Sequence, residues 1–187
     1  RPDSFVRTQF TKIGILGAGQ MGAGIATMAA QKGIEVVIKD INQDNADKGK
    51  DYAASVYAKN KRVDEAQADQ FLARITATDN YADLADCELV IEAVFEDRGV
   101  KAEVTKDTEA VLANSAVFAS NTSALPITEL AQASTRAENF IGMHFFSPAE
   151  KMPLVEIICG DKTTDSTLAK AFDLAQQLGK TPIVVND

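Results

Sequence analysis

Short apolar runs alternate with helix-period stretches along almost the whole chain. Lys12–Leu16 and Glu35–Lys39 read as strands, and Met21–Lys32 reads as a helix between them that Gly33 is placed to end. Two polar helices, Gln43–Lys61 and Asp64–Arg74, are predicted before a short strand at Ile75–Thr78. Leu89–Ala93 and Val117–Ser120 read as buried strands around a helix over Val100–Ala113. Strands at Phe140–Phe145 and Val155–Cys159, a helix at Ser166–Leu178 and a strand at Ile183–Val185 follow. Strands alternating with helices are the mark of βαβ units on a parallel sheet. The predicted class is therefore α/β: a doubly wound, mostly parallel sheet with a helical excursion after strand two and added strands at the C-terminal end. Residues 1–10 are irregular and slightly basic, which predicts a linker or arm, and residues 11–187 read as one domain.

Composition narrows the choices. The chain has 187 residues, 45% of them hydrophobic, enough for one domain with a real core. Nineteen basic residues against 27 acidic give a net charge of −8 without a basic stripe, which argues against a nucleic-acid partner. Apolar runs such as Ile34–Ile38 and Leu89–Ile91 are strand-sized, so no membrane span is expected. Cys87 and Cys159 lie far apart, without metal or redox spacing, and are expected to be core thiols in a cytoplasmic protein. His144 is the only histidine, so no two-histidine metal site exists, none is expected, and any imidazole chemistry passes through this residue. The chain opens at Arg1 without Met and stops directly after a strand-like run, which suggests an excised piece of a longer protein.

Candidate chemistry begins at Gly17-Ala18-Gly19-Gln20-Met21-Gly22. G-x-G-x-x-G alone is weak, but here an apolar strand precedes it, a small-residue helix follows, and Asp40 ends the next strand. That context fits a Rossmann-type dinucleotide fingerprint. Gly17 would permit the tight turn, Gly19 would let the backbone approach a pyrophosphate, and Gly22 would allow close helix packing. The amides near Gln20 and Met21 would face the phosphates at a positive helix end. Asp40 would accept from adenosine ribose hydroxyls and repel a 2′-phosphate, favouring NAD over NADP. A structural glycine turn beside a solvated aspartate is the alternative.

His144 and Glu156 lie 12 residues apart on two strand-like segments flanking a proline-bounded loop. If the segments run side by side, the carboxylate can fix Nδ1–H and leave Nε2 free to move a proton, as alcohol oxidation requires. A core histidine with an exposed glutamate is the alternative. Asn121-Thr122-Ser123 follows a strand at the carboxyl edge, where open α/β sheets bind ligands. Ser123 can hydrogen-bond a substrate oxygen there and Asn121 a nicotinamide ribose; a cap for a helix starting near Pro126 is the other possibility. Glu92, Glu96 and Lys101 surround the end of Leu89–Ala93, where most charged groups simply face water. A Lys59, Lys61, Arg62 cluster reads as a solvated helix face in preference to a CoA-phosphate site.

The stretches GAGQMGAGIA, VIEAVFED, FASNTSALPI and HFFSPAEKMPLVEII together resemble the L-3-hydroxyacyl-CoA dehydrogenases. The phrases HFFSP and KMPLVEI resemble most the dehydrogenase part of the multifunctional α subunit of the bacterial fatty-acid β-oxidation complex. The resemblance implies NAD-dependent oxidation of an L-3-hydroxyacyl-CoA to the 3-ketoacyl-CoA, with His144 as acid/base, Glu156 as its partner and Ser123 on the reacting oxygen. Cofactor contacts would fall to Gly17, Gly19, Gln20, Met21, Gly22, Asp40, Val94, Phe95, Glu96, Lys101 and Asn121. Ser147 stands where many relatives have asparagine, so that cofactor contact would be shorter or water-bridged. Such enzymes continue into a helical second domain with a further catalytic asparagine, much of the acyl-CoA site and the dimer interface, absent here. Other β-oxidation domains and a thiolase subunit are the partners the resemblance implies for the full-length protein. Two rival readings remain: a non-catalytic NAD-binding module that binds NADH but turns over poorly, and a hydrolase built on Ser123, His144 and Glu156, which lacks the G-x-S-x-G elbow.

Overall fold

A computed structural model describes residues 1–187. Its eight strands form one sheet in the order β3-β2-β1-β4-β5-β6-β7-β8. These are β1 (Lys12–Leu16), β2 (Glu35–Lys39), β3 (Ile75–Thr78), β4 (Leu89–Glu92), β5 (Val117–Ser120), β6 (Phe140–Phe145), β7 (Leu154–Cys159) and β8 (Thr181–Asn186). The first six are mutually parallel; β7 runs antiparallel to β6, and β8 parallel to β7. The helices are α1 (Gln20–Gln31), α2 (Gln43–Lys59), α3 (Glu65–Ala73), α4 (Arg98–Glu109), α5 (Ile127–Leu130) and α6 (Asp165–Gln177).

Both faces of the sheet are covered, so the central strands are apolar on both sides rather than alternating. Ile13, Ile15, Val36, Ile38, Leu89 and Ile91 join one core with α1, α2 and α6. Leu16, Val37, Val90, Phe118 and Phe140 join a second beneath the α4 and α5 side, where the Phe118 and Phe140 rings stack. Gly33, at φ +89°, ends α1 as expected.

Several element boundaries differ from the sequence pattern, most by one or two residues. The α4 helix begins at Arg98 instead of Val100, because the Asp97 carboxylate accepts the Val100 amide (2.9 Å) and caps it. It ends at Glu109, short of Ala113. β8 runs from Thr181 to Asn186, wider than Ile183–Val185, because β7 pairs with it along its whole length. Residues 1–10 form neither helix nor strand, yet Phe10 is buried and exchanges two backbone hydrogen bonds with the Gln177 side chain. Cys87 is buried, and Cys159 is half-buried against the larger core.

Candidate functional site

The glycine turn links β1 to α1 along the carboxyl edge of the sheet. Gly17 has φ +95°, and a Cβ there would lie 2.6 Å from the Ala93 carbonyl oxygen, so both the conformation and the space demand glycine. At Gly22 a Cβ would sit 1.8 Å from the Gly17 carbonyl oxygen, which lets α1 pack hard against the turn. At Gly19 a Cβ would meet nothing within 4 Å, so open space lies directly over the loop. α1 begins at Gln20 and Met21 with no capping side chain and no acid in its first turn. Its first amides are therefore free to bind an anion.

Asp40, just past β2, reaches back to this turn. Its carboxylate accepts the Ala18 amide (2.7 Å) and the Ile41 amide (2.6 Å), leaving lone pairs for further donors. Ile41 and Phe95 flank the edge, 80% and 86% exposed, large apolar side chains that suit the flat face of a base. Ile41 was missing from the sequence reading; its signal is an isoleucine directly after the acid that ends β2. Val94 is half-buried beside Phe95.

The register of β6 and β7 sets His144 directly opposite Glu156. His144 Nδ1 lies 2.8 Å from Glu156 Oε1, and the imidazole packs on the Phe146 ring at 4.6 Å between centroids. The two side chains are 17% and 34% exposed, so the pair is sheltered but reachable. Asn121, after β5, accepts the Phe145 amide on its Oδ1 (2.8 Å), tying the Asn121–Ser123 loop to the strand of His144. Ser123 is exposed on that loop and does not cap α5, whose N-cap is Pro126; Thr122 instead accepts the Leu125 amide (3.0 Å). Ser147 is exposed after β6, and the Ser147–Pro148 peptide is cis.

One group of side chains departs from expectation. Glu92 and Lys101 do not face water: they are 1% and 2% exposed and pair at 2.6 Å. The Lys101 ammonium also reaches Glu96 Oε2 (3.2 Å), and Glu96 Oε1 accepts the Thr122 hydroxyl and the Ser123 amide (3.1 Å). Partial burial pushes the Glu96 carboxyl up, but the Thr122 hydroxyl, the Lys101 ammonium and the Ser123 amide outweigh it and hold it below its ordinary value. Glu92, which the sequence pattern assigns to water, and Thr122, to which it gives no role of its own, are thus site-supporting residues. The available signal was an acid closing an otherwise apolar strand.

A parallel sheet with a glycine turn, an uncapped helix end and an acid after the second strand defines a nucleotide-binding domain of the dehydrogenase type. The particular family follows from comparison. Residues 12–187 match the family described as 3-hydroxyacyl-CoA dehydrogenase, NAD binding domain, and the chain belongs to it. It is 46% identical over 176 residues to the fatty acid oxidation complex subunit alpha of Psychrobacter sp. (strain PRwf-1), covering 92% of this chain and 24% of that protein. The corresponding subunit of Psychrobacter arcticus is 43% identical over 182 residues, covering 96% and 25%. Among solved structures, the (S)-3-hydroxybutyryl-CoA dehydrogenase PaaH1 from Ralstonia eutropha superposes with a TM-score of 0.93 at 41% identity, covering 96% of this chain and 64% of that one. The 3-hydroxybutyryl-CoA dehydrogenase from Escherichia coli gives 0.90 at 28%, covering 96% and 39%. The chain spans about a quarter of the length of the curated relatives it matches. NAD is its cofactor, and the open loop at Gly19 and the free amides of α1 fit that molecule's pyrophosphate. No helix is long and apolar enough to cross a membrane.

Proposed function

We propose that the protein to which this domain belongs oxidises L-3-hydroxyacyl-CoA to 3-ketoacyl-CoA, and that this chain supplies the NAD site and the acid/base pair. The observation that carries the reading is the His144 Nδ1–Glu156 Oε1 contact of 2.8 Å at the carboxyl edge, on the strand that Asn121 ties to the Ser123 loop. Bound NAD supplies the hydride acceptor for the hydrogen on C3. Gly17 and Gly22 shape the turn, and the backbone at Gly19, Gln20 and Met21 would hold its pyrophosphate. Asp40 takes the adenosine ribose hydroxyls, and its charge disfavours a 2′-phosphate. Val94, Phe95, Glu96 and Lys101 lie beside the adenosine half. Asn121 spends its amide oxygen on the Phe145 amide, which leaves its NH₂ for the nicotinamide ribose, and Ser147 is the second side chain this reading gives to the cofactor at that end.

His144 removes the hydroxyl proton at Nε2, because Glu156 occupies Nδ1. The carboxylate fixes the tautomer and stabilises the imidazolium that forms. The Ser123 hydroxyl donates to the reacting oxygen and holds it as the C–O bond becomes a carbonyl. Lys59 lines a cavity of about 630 Å³ with Lys32, Lys151 and Lys180, and this surplus of positive charge suits the phosphates of CoA. A serine nucleophile fits poorly: Ser123 sits four residues before α5, not on a sharp strand-to-helix elbow. The Psychrobacter relatives support a place in a fatty-acid oxidation complex. A helical second domain after residue 187, a thiolase partner and a cytoplasmic location belong to the same reading.

The test is 3-ketoacyl-CoA-dependent oxidation of NADH by the natural full-length protein. His144→Gln is expected to lower kcat by roughly 10²–10⁴-fold with NADH affinity retained. A variant as fast as the native protein would overturn the assignment.

A further inference from the structure

The carboxyl end of β4 holds an ion network that links the cofactor side of the site to the loop of Ser123. Glu92 stands at its root. Glu92 Oε1 accepts the Ser120 hydroxyl (2.7 Å), and Oε2 accepts the Val94 amide (2.9 Å) and the Lys101 ammonium (2.6 Å). The Glu92 carbonyl oxygen also accepts the Asn121 amide (2.8 Å). Lys101 hands the chain on to Glu96 at 3.2 Å, and Glu96 grips both Thr122 and the Ser123 amide. We propose that Glu92 is a positioning residue for Ser123: it fixes Lys101, Lys101 fixes Glu96, and Glu96 fixes the backbone that presents the Ser123 hydroxyl. The proposal rests on the role given to Ser123 above.

Two physical arguments carry it. A buried carboxylate and ammonium both lose hydration, and an apolar pair of similar volume is commonly as stable, so fold stability alone gives little reason for charge here. What charge adds is direction. Glu96 lies on an exposed turn, and the Lys101 ammonium holds its carboxylate folded back over the loop that it grips. Without Glu92 the ammonium has one anion instead of two and is free to shift toward Glu96, pulling that carboxylate away from Ser123. Because Asn121 ties the same loop to Phe145, any displacement changes the position of Ser123 relative to His144.

The experiment is a double-mutant cycle on kcat in the natural full-length protein, with Glu92→Gln and Ser123→Ala singly and together. Ser123→Ala is expected to lower kcat roughly 10²-fold, as loss of a donor to a developing oxyanion does. Glu92→Gln is expected to lower it roughly tenfold, since a small misplacement of a reacting group is costly. In the Ser123→Ala background the Glu92 substitution should cost less than about twofold, because both act through one hydroxyl. Equal losses in both backgrounds would show a merely structural network and overturn the proposal. Should Glu92→Gln fail to fold, Glu92→Gln with Lys101→Met leaves no unpaired buried charge, and the same comparison with and without Ser123 applies. Full activity in Ser123→Ala would remove the role of Ser123 and with it that of Glu92. A slow Ser123→Ala with multiplying effects would remove Glu92 alone.

Discussion

The three fingerprint glycines are needed for different reasons, and single substitutions separate them. Gly22→Ala places a methyl 1.8 Å from the Gly17 carbonyl oxygen, so the turn or α1 must move. The expected cost is about 1–3 kcal/mol of stability, as for overpacking elsewhere, read as a fall in the thermal midpoint. Gly19→Ala meets nothing within 4 Å and has an ordinary φ of −70°, so the midpoint should barely change. The methyl would instead occupy the space proposed for the pyrophosphate. NADH binding should weaken roughly tenfold in a fluorescence titration, equivalent to about 1.4 kcal/mol. A Gly19→Ala protein with native affinity would place the phosphates elsewhere. Asp40→Ala removes both the proposed ribose acceptor and the anchor of the Ala18 amide, so its expected severalfold loss of NADH affinity should come with a looser turn.

At the scale of elements, the proposed acid/base pair depends on a strand register. β6 and β7 are antiparallel and joined by the loop 146–153, and in their register each paired residue has one partner directly opposite, so that His144 meets Glu156. This much was legible, because two apolar runs around a proline-bounded loop leave few registers that keep the buried face buried. The Glu92–Lys101 pair was not legible. Its spacing of nine residues crosses a strand end, a turn and the first turn of α4, and no simple period describes that path. The start of α4 was misplaced for a related reason: Asp97 looks like one more acid in an acidic turn until its carboxylate is seen on the Val100 amide. Glu156→Gln keeps the shape of the pair and removes its charge. Its kcat should fall by roughly 10²-fold, the low end of what general acid–base catalysis contributes, while NADH affinity stays native. A fall in affinity without a fall in kcat would move Glu156 out of the proton path.

Across the whole molecule, the segment before β1 is fastened to α6 by one buried carboxylate. Asp173, on α6, takes a two-pronged contact from Arg1 (2.7 and 2.9 Å), a longer one from Arg7 (3.4 Å) and the Thr8 amide (2.9 Å). The sequence hides this, because partners more than 160 residues apart leave no local pattern. Burial pushes the Asp173 carboxyl up, but the Arg1 guanidinium, the Thr8 amide and Arg7 outweigh it and hold it below its ordinary value. A carboxyl depressed in the folded state stabilises fully above its unfolded value, near about 3.9, and the contribution fades as pH falls through the lower folded value. The arm should therefore stay fastened from neutral pH down to about 4 and release below it. Gln177 supplies an internal control, since its two bonds to the Phe10 backbone carry no charge and should survive acidification. Hydrogen exchange should show protection at the Thr8 amide lost first and that at Phe10 retained. Asp173→Asn should expose Thr8 already at neutral pH and abolish the acid-dependent step. If Thr8 and Phe10 instead open together in both proteins, the arm is held by packing at Phe10 and not by the buried charge.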